Sequence, residues 1–197
     1  MLQYTASLSK IIVVGSFLLM APVLAQQKFS TRQIQKLKNE TLQKVEAQHK
    51  NTQVMIDKVF SFSELGFQEY ESSAYLTSIL ETAGFSIERG ISGIPTAWMA
   101  QWDHGEGPVI ALGSDVDCIP KASQYPGVAY HKPMVEGAPG HGEGHNSGIP
   151  VIITAALALQ EQMKKNDLGG SLVVWPGIAE ELVASKGTNE TLTVEVE

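Results

Sequence analysis

The chain has 197 residues, of which 43% are hydrophobic, so it can fold into an ordinary domain with a buried core and is not a low-complexity protein. Its 21 acidic residues outnumber its 14 basic ones, which gives a formal net charge of -7. The most basic stretch, residues 36–50, alternates lysines with glutamates. Because such a surface repels phosphate groups, we expect no nucleic-acid partner.

The N-terminus has the pattern of a secretory signal peptide. Lys10 is the only charged residue before an almost wholly apolar run, residues 11–25, which ends in small residues at Ala25. This pattern predicts a signal peptide over residues 1–25, cleavage after Ala25, and export to a periplasm or to the outside. The alternative is an uncleaved membrane anchor, but the run is shorter than the roughly 20 residues of a spanning helix. We therefore expect no stable membrane anchor after cleavage.

Helical patterns come next, followed by strand-like ones. Residues 31–62 have hydrophobic side chains at three- and four-residue steps, which predicts one long helix or two in tandem. A second amphipathic helix is predicted from Tyr70 to Thr82, with Gly84 placed to cap its C-terminal end. Three short runs are then predicted to be β-strands: residues 85–89, 96–102 and 108–113.

The last part of this pattern contains a helix and a strand. We predict a helix from about Gly148 to Lys164, with Ser147 as its N-cap, and it should be buried because it is apolar on nearly every side. A strand is predicted over residues 171–175. Alternating strands and helices indicate an α/β layered domain. The connection over residues 124–140 is long, and long connections are usually functional.

Residues 140–146 read GHGEGHN, with His141, Glu143 and His145 at every second position. In an extended backbone alternate side chains lie on one face, so all three could contact a single ion. Imidazole and carboxylate ligands suit zinc, manganese or a similar divalent ion. The alternative is a solvated loop in which the histidines have no special role, and the motif alone does not decide between the two.

Two adjacent carboxylates, Glu180 and Glu181, follow the apolar run SLVVWP. They would lie at the rim of a sheet, where ligand sites of α/β proteins tend to occur. An isolated pair of glutamates is usually surface charge, but together with GHGEGHN the pair favours a metal site. The single cysteine, Cys118, cannot form an internal disulfide and has no base beside it, so we predict a core thiol.

Five blocks of sequence over residues 61–186 resemble the metallopeptidase family M20: SFSELGFQEYESSAYL, GIPTAWMAQW, ALGSDVDCIP, GHGEGHN and WPGIAEELVASK. The subfamily they resemble is M20D, the amidohydrolases, in particular the aminobenzoyl-glutamate hydrolase type. The resemblance implies a zinc-peptidase-like catalytic domain with helices packed on a mixed sheet. It also implies hydrolysis of an amide bond in an N-acyl or aminobenzoyl amino acid or a small peptide. Full-length relatives would use two zinc or manganese ions and form homodimers.

The resemblance also implies a role for each residue of the site. Glu143, His145 and Glu181 would be metal ligands, and Glu143 stands where the family more often has a cysteine, which favours harder ions. Glu180 would be the general base. Asp117, the second carboxylate of an Asp-x-Asp block, would orient the metal site from behind, the structural alternative being a simple cap of its loop. His141 would make a supporting hydrogen bond.

The resemblance ends at Lys186. The predicted domains are therefore the signal peptide (1–25), the N-terminal part of an M20 catalytic domain (26–186) and a divergent tail (187–197). No histidine follows His145, whereas the family uses two more histidine ligands, so we expect this truncated form not to complete a two-metal site. It would be an exported amidohydrolase with weak or no turnover. The alternative is a non-catalytic metal-binding or interaction module derived from the M20 fold.

Overall fold

The structure, a computed structural model, describes residues 29–182. The predicted signal peptide and the predicted tail of residues 187–197 lie outside the described residues. Within them the elements in chain order are α1 (Thr31–Ala47), α2 (His49–Phe62), α3 (Tyr70–Thr82), β1 (Ser86–Arg89), a short 3-10 helix (Ile91–Gly93), β2 (Trp98–Asp103), β3 (Val109–Asp115), α4 (His145–Asn166) and β4 (Ser171–Gly177).

The first three helices follow the predicted pattern closely. Residues 31–62 form two helices in tandem, one of the two predicted arrangements, with the break at Gln48. Helix α3 has the predicted bounds, and Gly84 follows its C-terminal cap at a φ of 91°, a conformation that glycine adopts without strain. At the other end of α3, the carboxylate of Glu64 accepts hydrogen bonds from the backbone N–H groups of Glu71 (2.7 Å) and Ser72 (2.9 Å).

The four strands form one mixed sheet in the order β1-β2-β4-β3. The pairs β1–β2 and β2–β4 are antiparallel, whereas β3 and β4 are parallel. Parallel neighbours need a crossover connection, and α4 lies between β3 and β4 in the chain. In the parallel pair Asp115 lies opposite Gly177. Consequently the segments that follow β3 and β4 leave the sheet side by side at the same edge.

The core lies between the sheet and the helices. Helix α4 packs against β3 and β4, α1 and α2 pack against α4, and α3 packs against β1, β2 and α2. The largest fully buried hydrophobic side chains come from α3, α4 and the central strands: Leu76, Leu80, Trp98, Ile149, Ile153 and Leu172. This arrangement confirms the predicted α/β class with helices on a mixed sheet. Among the described residues, no helix combines the length and apolar character needed to cross a membrane.

Two predictions about α4 were wrong. The helix begins at His145 rather than near Gly148, because Gly144, at a φ of 114°, turns the chain three residues earlier than the predicted N-cap Ser147. The Ser147 hydroxyl instead donates a hydrogen bond to the carbonyl oxygen of Gly144 (2.7 Å). Nor is the helix buried on every side, since the side of Val151 is open to water and this residue is 53% exposed.

Candidate metal centre

The site lies where the sheet topology brings distant segments together. Residues 116–118 follow β3 and residues 178–182 follow β4, so both emerge at the shared edge of the parallel pair. The connection from β3 to α4 returns to this edge, because Ile119 and Gly140 exchange backbone hydrogen bonds of 3.1 Å across its base. The first turn of α4 also lies here, with Gly148 directly against the side chain of Ser114.

Four side chains converge at this edge: Glu143, His145, Glu180 and Glu181. Each offers a ligand atom, and these atoms all lie within 4.8 Å of one another. His145 lies among the carboxylates, with its Nε2 atom 3.2 Å from Glu143 Oε2 and 4.0 Å from Glu180 Oε2. The structure thus brings together the three predicted ligands, Glu143, His145 and Glu181. It also places the predicted general base, Glu180, among them.

Asp117 connects the two halves of this cluster. Its carboxylate is completely buried, and its Oδ2 atom accepts a hydrogen bond from the backbone N–H of Glu181 (3.0 Å). Its backbone oxygen lies 2.9 Å from His145 Nδ1, and its Oδ1 atom lies 3.5 Å from the same nitrogen. When Nδ1 donates this hydrogen bond, Nε2 is the ring nitrogen directed at the carboxylates. Asp117 therefore fixes the orientation of His145 and the backbone of Glu181 at the same time.

The charges at the site are strongly coupled. The pKa of His145 is raised to about 9, first by its side-chain interaction with Asp117 and then by the backbone oxygen of Asp117 and the charge of Asp115. Burial raises the pKa of Glu181, and the carboxylates of Glu143, Asp117 and Glu180 add to that effect. Burial also raises the pKa of Asp115, whose Oδ2 atom lies 4.0 Å from His145 Nε2. The cluster therefore favours a positive charge at its centre.

A divalent cation fits this donor set. A single ion with ligand distances of roughly 2.1 Å places its ligand atoms about 3.4 Å apart in tetrahedral geometry, and the ligand atoms of this cluster already lie within 4.8 Å of one another. The imidazole of His145 with the carboxylates of Glu143 and Glu181 suits zinc or manganese, and the carboxylate of Glu180 lies beside them. Within the described residues, Asp117 Oδ1 is buried and has no hydrogen-bond partner. It faces His145 Nδ1 at a distance of 3.5 Å.

His141 does not belong to the cluster. Its Nε2 atom lies 3.1 Å from the backbone oxygen of Val59, and its ring packs near Phe60 in α2. The motif left open whether His141, Glu143 and His145 contact one ion, and in the structure His141 instead makes a hydrogen bond, as the resemblance implied for it. The physical reason is that the segment is not extended, because the chain turns at Gly144 into α4. The hydrogen bond of His141 ties this loop to α2, and burial lowers the pKa of its imidazole.

Two further residues near the site differ in how well the sequence indicates them. Cys118 is buried, and burial, with the nearby charge of Asp117, raises its pKa to about 12, so it is the predicted core thiol. The sequence does not single out Glu69, yet this residue is fully buried and accepts a hydrogen bond from the backbone of Ala179 (3.1 Å). It directly precedes α3, a position where acidic residues are common, so no sequence signal marks it.

Solved structures of other proteins have a similar fold. No protein-family model matches the chain. A dinuclear metal-binding peptidase of the M20 family from Bacillus subtilis is 24% identical, with a TM-score of 0.60 over 76% of this chain and 41% of that chain. An aminobenzoyl-glutamate utilization protein from Klebsiella pneumoniae is 13% identical, with a TM-score of 0.52 over 75% of this chain and 43% of that chain. The described part of the chain therefore has the fold of M20 peptidases.

Curated relatives add similarity in sequence. One of the subunits of the p-aminobenzoyl-glutamate hydrolase of Escherichia coli is 33% identical over 128 residues, which are 65% of this chain and 26% of that protein. The IAA-amino acid hydrolase ILR1-like 2 of Arabidopsis thaliana is 30% identical over 118 residues, 59% of this chain and 25% of that protein. This chain thus spans about a quarter of the length of these curated relatives. The resemblance to the M20 family is confirmed over part of the chain.

Proposed function

We propose that the chain carries the metal centre of an amidohydrolase or peptidase that cleaves an amide bond in an N-acyl or aminobenzoyl amino acid or a small peptide. The observation that supports this most is the convergence of Glu143 and His145 with Glu180 and Glu181 within 4.8 Å. The buried Asp117 contacts both groups. Such perturbed titratable groups at the edge of an α/β sheet are typical of functional sites.

Glu143, His145 and Glu181 would bind the cation, which we propose to be zinc or manganese. When bound, a divalent cation lowers the pKa of a water molecule and polarises a substrate carbonyl group. Glu180 would accept a proton as general base and pass it to the leaving amine. The backbone N–H of its neighbour Glu181 is held by the Asp117 carboxylate.

The proposed substrate class rests on the names of the relatives. One is a hydrolase of p-aminobenzoyl-glutamate and another a hydrolase of IAA-amino acids, and both names describe an acid joined to an amino acid. We extend that class to this chain as a proposal, together with export, which the apolar N-terminal run supports.

A metal-binding module without turnover is the second candidate function. One observation favours it: among the described residues, the cluster contains a single histidine and one set of ligands. A single cation site of this kind can bind a metal and stabilise the fold without catalysing a reaction.

The two functions differ in what Glu180 does. We would measure Mn²⁺ and Zn²⁺ binding by calorimetry and hydrolysis of p-aminobenzoyl-glutamate, using the 197-residue chain. For a hydrolase, Glu180→Gln should lower turnover by about 100-fold or more while metal affinity changes only a few-fold. His145→Gln should abolish metal binding. The matched control is Glu161→Gln, because Glu161 is a half-exposed α4 glutamate paired with Lys44.

Hydrolysis that is lost in Glu180→Gln supports the hydrolase. Tight metal binding without turnover supports the module. Metal binding that survives His145→Gln unchanged contradicts both proposals, since the cation would then bind elsewhere.

A further inference from the structure

Glu69 is a buried acid outside the metal cluster. Its side chain has no contact with water, which for a glutamate requires hydrogen bonds in compensation. Its Oε2 atom accepts a hydrogen bond from the hydroxyl of Thr96 (2.8 Å). Its Oε1 atom accepts one from the backbone N–H of Ala179 (3.1 Å). The second bond connects the start of α3 to the segment that carries Glu180 and Glu181.

Ala179 has an unusual backbone conformation. Its φ is 57°, in the left-handed region that residues other than glycine seldom adopt. The residue is fully buried, its carbonyl oxygen accepts a hydrogen bond from Leu182 N–H (3.1 Å), and the backbone of Gly66 packs closely against it. Such a conformation persists only where its surroundings impose it. Here the turn at Ala179 follows the end of β4 at Gly177, and the next residue, Glu180, reaches to 4.0 Å from His145 Nε2.

Two buried carboxylates therefore hold the two ends of this turn by hydrogen bonds. Glu69 accepts the N–H of Ala179, and Asp117 accepts the N–H of Glu181. Glu180 lies between these two anchored residues. We propose that Glu69 is a positioning residue, which fixes the left-handed turn at Ala179 and thereby the placement of Glu180 and Glu181. The part that concerns metal binding rests on the function proposed above.

Three variants test this role. Glu69→Gln keeps an oxygen for Ala179 N–H, and its amide can donate to the Thr96 hydroxyl. Glu69→Met has nearly the same size but no acceptor. The matched control is Gln160→Met, which removes another buried polar group, one that bonds Ala83 O (3.0 Å). Gln160 lies roughly 22 Å along α4 from His145, so it reports general destabilisation only.

The first readout needs no metal ion. Amide hydrogen exchange of Glu181 should become about tenfold faster or more in Glu69→Met. The hydrogen-bond partner of the Glu181 N–H is Asp117 and not Glu69, so this change would report the turn between them. Glu181 exchange should stay unchanged in Glu69→Gln. In Gln160→Met it should change no more than exchange in the central strand β4, which measures the general loss of stability in each variant. If Glu69→Met does not fold, Glu69→Asp gives the same information, because the shorter side chain withdraws its oxygen from Ala179. Unchanged Glu181 exchange in Glu69→Met, or in Glu69→Asp, would overturn the positioning role.

The second readout is Mn²⁺ affinity, measured together with thermal unfolding. Glu69→Met should weaken Mn²⁺ binding by about tenfold or more, whereas Glu69→Gln should bind Mn²⁺ as the unaltered chain does. Gln160→Met should lower the unfolding temperature without changing Mn²⁺ affinity. If affinity in Glu69→Met falls no more than in Gln160→Met, Glu69 is only structural. Failure of the unaltered chain to bind Mn²⁺ would refute the proposed metal centre, while the exchange measurement would still decide the role of Glu69.

Discussion

Burial of the Glu69 side chain has a consequence for stability as a function of pH. Burial raises its pKa above the ordinary value of 4.5, against the lowering effect of its hydrogen bonds from Thr96 and Ala179. The folded protein therefore binds this proton more tightly than the unfolded chain does. The stability associated with it is fully present below pH 4.5 and is lost as the pH rises through the raised pKa of the folded state.

We accordingly expect Glu69→Gln to stabilise the protein more at pH 7 than at pH 4, since glutamine has no charge to bury. Urea unfolding of the variant and the unaltered protein at both pH values measures this difference. Glu161→Gln, at an exposed position, should show no such gain between pH 4 and pH 7. A stability difference for Glu69→Gln that is the same at both pH values would show that Glu69 ionises without a burial cost.

At the residue scale, the sequence indicated the residues of the candidate site but not Glu69, the residue that we propose positions them. Glu143, His145 and Glu181 lie together as the resemblance implied, because a motif records which groups a reaction needs. Glu69 could not be found in this way, because its role comes from a contact 110 residues along the chain. A buried acid and a solvated acid look alike in sequence, and only the packing around them distinguishes the two.

At the scale of elements, the segment after β4 depends on a close approach between two stretches of backbone. A methyl group at Gly66 would lie 2.7 Å from Ala179 Cβ and 2.8 Å from its Cα atom. Because one of these is a backbone atom, the turn must shift to accommodate any side chain at Gly66. Gly66 is thus required because the turn at Ala179 lies against its backbone, and not because of its own φ.

We predict that Gly66→Ala lowers the free energy of unfolding by about 1–3 kcal/mol and weakens Mn²⁺ binding as well. Gly84→Ala is the control: a methyl group there meets no neighbour, although the φ of 91° makes it strained, so it should cost about 1 kcal/mol without changing Mn²⁺ affinity. Chemical unfolding and calorimetry give both quantities. Equal Mn²⁺ affinities in the two variants would mean that the contact with Ala179 does not affect the site.

Local periodicity predicted some elements and not others, for physical reasons. The bounds of α3 were correct because an amphipathic pattern and Gly84 mark both its face and its end. The start of α4 was misplaced because Gly144 provides a left-handed turn that no hydrophobic pattern reveals. The strand order β1-β2-β4-β3 depends on contacts between distant segments, and periodicity contains no information about them.

At the scale of the whole molecule, the cluster of candidate metal ligands contains residues from distant parts of the chain, which folding must first bring together. Glu143 precedes α4 and His145 is its first residue, whereas Glu180 and Glu181 follow β4, and Asp117 follows β3. The unfolded chain lacks this arrangement, so a cation that binds the cluster should stabilise the folded state. The effect belongs to the complete fold and not to any single element.

We therefore expect Mn²⁺ or Zn²⁺ to raise the thermal unfolding temperature, because ligand at 100 times its Kd adds about 2.7 kcal/mol. For a domain of this size that corresponds to an increase in Tm of at least about 5 °C, since roughly 1 kcal/mol shifts Tm by 2–4 °C. EDTA should reverse the shift, and His145→Gln should abolish it, whereas Glu161→Gln should keep it. An equal shift in His145→Gln would place the bound cation away from His145, and so away from the cluster on which the proposed hydrolase chemistry depends.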